Sequence, residues 1–100
     1  MTVLIGKYLF AGPYSDSSYV QSKPGVFLIL SGSETEPYLI DVDESDDMSG
    51  KVKGHPRQAC WQEKAGGSYQ FAVFHTPHLD ADERRQVVAD IRSEFVVACG

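Results

Sequence analysis

Asp41 and Asp43 are the residues of this chain best placed by type and spacing to do chemistry. They lie two apart in a short apolar run, and a strand's period of two puts both carboxylates on one face. Such a pair could hold a hard cation, magnesium or manganese, with Lys51 near enough to neutralise a phosphate. The plainer expectation is a solvated strand edge. Asp41, Asp43, Ser45 and Asp47 also carry acceptors at alternate positions, like the first half of a calcium loop. Asp46, however, occupies the turn position that needs glycine, and Val52 the place of the bidentate glutamate. His55, His75, His78 and Cys60 match no familiar zinc spacing. Nothing in the sequence brings Cys60 to a histidine as a nucleophilic pair. There is no phosphate-binding glycine loop.

The elements that must carry these groups follow from pattern. Val3 to Phe10 reads as a strand, broken or bulged at Gly6. Ala11 to Gly25 is rich in Ser, Tyr, Pro and Gly and reads as a loop. Pro24-Gly25 precedes Val26 to Leu30, a continuous apolar run suited to a strand buried on both faces. Ser31 to Pro37 reads as a hairpin connection, and Tyr38 to Val42 as the second strand. Ser45 is positioned to cap a short helix from Asp46, weakened by Gly50 and Gly54. Ala59 to Lys64 suggests a turn of helix anchored by Trp61 and ended by Gly66-Gly67. Tyr69 to His75 reads as a third strand, ended at Thr76-Pro77. Asp80 and Glu83 then form a capping box for a long helix. Its Val87, Val88, Ile91 and Phe95 share a face, and Arg84, Arg85, Asp90 and Arg92 are expected largely elsewhere.

The 100 residues make one domain, with residues 1–23 as an N-terminal strand and loop and 24–100 as the core. A formal net charge of −5 disfavours nucleic acid as a partner. No stretch approaches a membrane span, and Met1 to Phe10, without a basic region ahead of a long apolar run, is not expected to be a secretory signal. Cys60 and Cys99 are far apart in sequence and are expected as free thiols, small buried hydrophobes in a reducing, cytoplasmic setting.

The order strand, strand, small helices, strand, long helix resembles the GIY-YIG nuclease module, a small central antiparallel sheet flanked by helices. The resemblance runs over residues 24–100. Pro24-Gly25-Val26-Phe27-Leu28-Ile29 looks like the first strand motif, and Asp41-Val42-Asp43 like the second. Ser45, Asp46, Asp47 and Met48 keep the polar opening of the following helix. Lys51 stands where the family has arginine, and His55 where many members have histidine. Cys60-Trp61, Phe71 to His75 and the final helix resemble its later elements. The resemblance implies an α+β fold, β-β-α-(α)-β-α, with an extra N-terminal strand or arm.

It also implies lost chemistry. The family's two tyrosines map to Phe27 and Asp41, its metal-binding glutamate to Val88 and its terminal asparagine to Gly100. Phenylalanine has no hydroxyl to activate water, and valine offers magnesium nothing. The expectation is a domain without catalysis and without a cofactor that binds another protein. Tyr14 and Tyr19 on the N-terminal loop, with Lys51 and His55, are the candidate binding residues. Two rivals remain: a rearranged magnesium or manganese site at Asp41, Asp43 and Lys51 acting as a nuclease or phosphodiesterase, and nucleic-acid binding without cleavage.

Overall fold

The computed structural model describes residues 1–32 and 36–100. Continuous apolar character in the middle of the chain demands cover on two sides, and the sheet supplies it. Five strands, β1 (Thr2–Ile5), β2 (Tyr8–Tyr14), β3 (Gly25–Gly32), β4 (Pro37–Ser45) and β5 (Gln70–His75), pair in the order β1-β2-β5-β3-β4. Every neighbouring pair is antiparallel. Three helices, α1 (Met48–Lys53), α2 (Gln58–Ala65) and α3 (Ala81–Glu94), flank the sheet, which makes the fold α+β.

Alternation along β3 splits the core in two. Val26, Leu28 and Leu30 face Val87 and Ile91 of α3, while Phe27 and Ile29 face Met48 and Val52 of α1 and Trp61 of α2. All five of these β3 residues are buried. Burying each such side chain contributes about 1.5–3 kcal/mol, so β3 is the hydrophobic axis of the domain. Gly25 starts it because a Cβ there would lie 2.6 Å from both Met48 Sδ and the Phe74 carbonyl oxygen.

Several expectations change at the N-terminus. The segment read as one broken strand is a hairpin, with Ile5 opposite Tyr8 across Gly6-Lys7. Gly6 has φ 62° and supplies the positive φ of a two-residue turn. The segment read as a loop begins with the rest of β2, pairing Ala11 with Val73 and Tyr14 with Phe71, and continues through a 3-10 turn at Ser17–Tyr19. The hairpin therefore extends the central sheet. Residues 33–35 of the expected β3–β4 connection lie outside the described residues.

Helix ends show the same mix. Asp47, not Ser45, caps α1, accepting from Gly50 N. The Ser45 hydroxyl is taken locally, accepting from Asp47 N at 3.0 Å and donating to Asp47 O. The capping box of α3 forms as expected, with Glu83 N donating to Asp80 Oδ1 at 2.8 Å. Val87 and Ile91 are buried, and Val88 is half-buried against the α3-side cluster. Phe95 leaves the helix at its C-cap with extended backbone, and it is 37% exposed. Arg84, expected outside, is buried at 6% exposure. Its spacing to Val87, Val88 and Ile91 is that of their own stripe, so position overrides charge. Its Nη1 donates to the Leu79 carbonyl at 3.1 Å, and its Nε lies 3.7 Å from Glu44 Oε2.

The two cysteines are not free. Cys60 and Cys99 are joined in a disulfide with their Cα atoms 6.1 Å apart. The chain folds its C-terminal segment back onto α2, a contact that sequence distance conceals. The bond spans 39 positions; constraining a loop of that length in the unfolded chain stabilises the fold by about 4 kcal/mol.

Candidate functional site: an aspartate pair enclosed by cations

A bulge in β4 builds this site. Ile29 pairs with Asp41 but the next residue, Leu30, pairs with Leu39, leaving Ile40 as the extra residue. Downstream of the bulge Asp41 and Asp43 stand opposite Ile29 and Phe27, so both turn toward the α1–α2 side. The shared face expected from sequence is present; the solvated edge is not, because Asp41 is 0% exposed.

A buried carboxylate needs compensation, and Asp41 has it on both oxygens. Oδ2 accepts from Trp61 Nε1 at 2.7 Å and Arg57 Nε at 2.8 Å. Oδ1 accepts from Val42 N at 2.8 Å, Arg92 Nη2 at 2.8 Å and Arg57 Nη2 at 3.1 Å. Five donors use the acceptor capacity of the group. The hydrogen bond to Asp41 holds the Arg57 guanidinium above its ordinary range.

Asp43 lies nearer the surface. Its Oδ2 accepts from His55 Nε2 at 2.7 Å and from Arg57 Nη2 at 3.4 Å, and Lys51 Nζ stands 3.9 Å away. Its Oδ1 accepts from Glu44 N at 2.8 Å. The His55 ring is fully enclosed, edge-on to Phe27 and beside Trp61. Because its Nδ1 accepts from Arg57 N at 3.1 Å, the ring hydrogen facing Asp43 sits on Nε2. Lys51, with 42% of its side chain exposed, is the most open cation of the set. Two carboxylates thus meet two guanidinium groups, one imidazole and a rim ammonium.

The structure brings Phe27, Asp41, Asp43, Lys51 and His55 to one face of the sheet. Val88 packs on the opposite face with α3, so it fills no space beside Asp41. Gly100 lies against the Arg92 guanidinium. Tyr14 packs against the same α1–α2-side cluster from β2, three strands away from β4, and stacks on Tyr19 at 5.0 Å between ring centroids, with Tyr19 60% exposed. Among the described residues no group of three or more His, Cys, Asp and Glu side chains is arranged to hold a metal ion. A polar cleft of about 290 Å³ lies at the end of β4, lined by Glu44, Ser45, Asp46, Lys51, Ala81 and Arg84.

Arg57 and Arg92 are the participants that sequence reasoning missed. The available signal was Asp41 itself: a lone acid between Ile40 and Val42 in an apolar strand requires a cationic partner.

The chain matches no family model, no curated protein and no solved structure. Among the described residues no helix is long and apolar enough to cross a membrane.

Proposed function

We propose that this chain is a GIY-YIG-like domain that has lost its chemistry and acts by binding another protein. The observation that carries the reading is the saturation of Asp41. At the position where the resemblance calls for a catalytic tyrosine stands a buried carboxylate, with both oxygens committed to Trp61, Arg57, Arg92 and the strand backbone. A cation placed there would have to displace two guanidinium groups, which weighs against the rearranged magnesium or manganese site. The same ion pairs occupy Arg57 and Arg92, which would otherwise be open to a phosphate at this site, and that weighs against nucleic-acid binding here. Phe27, on the same face, carries no hydroxyl.

For recognition of a protein the surface offers apolar and aromatic side chains. Leu4 and Leu9 face each other across the N-terminal hairpin at 63% and 56% exposure, and Tyr19 stacks on Tyr14 beyond it. Exposed aromatic and aliphatic side chains of this kind suit a protein surface. The cytoplasmic setting expected from sequence rested partly on free thiols, and the Cys60–Cys99 bond removes that support.

The test has two arms. Single- and double-stranded DNA and RNA incubated with magnesium or manganese stay intact. A partner captured by the wild-type domain from its native host is lost on Tyr19→Ser or Leu9→Lys. Cleavage that disappears on Lys51→Ala overturns the reading, as does capture indifferent to both surface changes.

A further inference from the structure

The segment after α3 wraps around the edge of β4. Val97 packs with the α3-side cluster and Cys99 is buried in the α2-side cluster, so residues 95–99 pass from one face of the sheet to the other. The bulge at Ile40 makes a seat for them. With Ile40 as the extra residue, two successive peptide groups point the same way, and the carbonyls of Leu39 and Ile40 both emerge at the edge. Ala98 N donates to Leu39 O at 3.2 Å and Cys99 N to Ile40 O at 2.7 Å. Arg92 fills in behind, with Nη1 on Cys99 O at 3.0 Å and Nη2 on Val42 O at 2.9 Å. The disulfide to Cys60 closes the strap onto α2.

The rest of the domain has anchors of its own. Trp61 and Arg57 hold α2 and its approach to Asp41, and Val87 and Ile91 seat α3. The strap has two backbone hydrogen bonds, one arginine, the half-buried Val97, the buried Cys99 and the disulfide, while Val96 is 88% exposed.

We propose that the Cys60–Cys99 disulfide is a reversible latch: a dithiol reductant opens it, and residues 95–100 then leave the edge of β4 while the sheet and the three helices stay folded. Cys60 is half-buried and Cys99 enclosed, so the incoming thiolate attacks the Cys60 sulfur. The bond between the two protein sulfurs breaks, and Cys99 leaves as a thiolate that takes up a proton. The second thiolate of the reductant then attacks its own sulfur in the mixed disulfide. This releases Cys60, which is protonated in turn, and the reductant departs as a cyclic disulfide. Two electrons pass from reductant to protein. Opening uncovers the carbonyls of Leu39 and Ile40, an unpaired strand edge of the kind that accepts an added strand. The proposal does not depend on the nature of the partner.

Backbone ¹⁵N relaxation of the full chain, with and without dithiothreitol, tests it. Order parameters of residues 96–99 fall from about 0.85 to below ~0.6 on reduction, while those of Phe27 and Leu28 stay near 0.85. Cys60→Ser shows the same pattern without reductant. The proposal fails if the strap stays ordered in the reduced protein, or if the native protein keeps its bond in excess dithiothreitol. It also fails if the reduced protein and the variant both lose the dispersed spectrum of a folded domain, for then the bond is a staple and not a latch.

Discussion

At one edge of the sheet, β4 carries a bulge and two aspartates, and it is covered by a strap, two arginines and a disulfide. At the other, β1 is Thr2-Val3-Leu4-Ile5, without a charge, and among the described residues no strand pairs with its outer side. Lys7 is the one charged side chain in residues 1–15. Polarity is thus inverted between the edges: the acid is enclosed at β4, and leucines stand in solvent on the β1–β2 hairpin. The carboxylates of β4 are engaged in hydrogen bonds and ion pairs, whereas the β1–β2 hairpin leaves Leu4 and Leu9 exposed. Natural sheets guard their edges, and among the described residues it is the β4 edge that is guarded.

The largest effect is expected at the guarded edge. Asp41→Ala leaves Trp61 Nε1 and two guanidinium groups without their acceptor, and it should cost about 3–5 kcal/mol, read from urea unfolding midpoints. A loss under about 1 kcal/mol would mean the network is ornamental and would erase the distinction between the edges.

A smaller effect is expected where the hairpin meets α3. The Tyr8 hydroxyl donates to Asp90 Oδ2 at 2.6 Å. That bond, with burial and the nearby charges of Asp90 and Glu94, pushes the phenol from 10.0 up to about 12. The folded state therefore favours the protonated phenol, so the stabilisation is complete below pH 10 and is lost as pH rises toward about 12. Asp90 shifts the other way, held below its usual range chiefly by Tyr8 and then by Gln86. Its contribution is present above the ordinary carboxylate range and disappears as pH falls through the lowered value. In Tyr8→Phe the phenol titrating at about 12 disappears from the alkaline absorbance titration, and the Asp90 carboxyl moves up toward 3.8 by ¹³C NMR. An unchanged Asp90 would break the assignment.

The smallest effect belongs to the bare edge. Leu4→Lys should change stability by no more than about 0.5 kcal/mol, because the side chain is already in water. Equal sensitivity of Leu4 and Asp41 would contradict the comparison outright.

Much of this fold was legible in the sequence, for reasons visible in particular residues. Val26 to Leu30 reads as a doubly buried strand because both its faces are apolar. Asp80 and Glu83 mark the start of α3 because capping is local chemistry. Trp61 reads as an anchor through its bulk. The hairpin was hidden because Gly6 serves a bulge or a turn equally well, and the end of β2 because Gly12 and Pro13 resemble loop. The site was half legible. Two aspartates on one face follow from period two, but the bulge that seats Asp41, the arrival of Arg92 from α3 and the Cys60–Cys99 bond are tertiary events without a local signature. Arg84 is expected outside when charge is weighed above position, and its burial beside Glu44 reverses that weighting.

Above all, the five donors on the Asp41 carboxylate leave it no capacity for an ion. A manganese titration followed by ¹H–¹⁵N NMR tests this at the atoms concerned. No selective broadening of the Asp41, Val42, Asp43, Glu44 and His55 amides is expected as manganese is added. Broadening confined to those amides, and abolished by Asp41→Asn in a protein that remains folded, would contradict it.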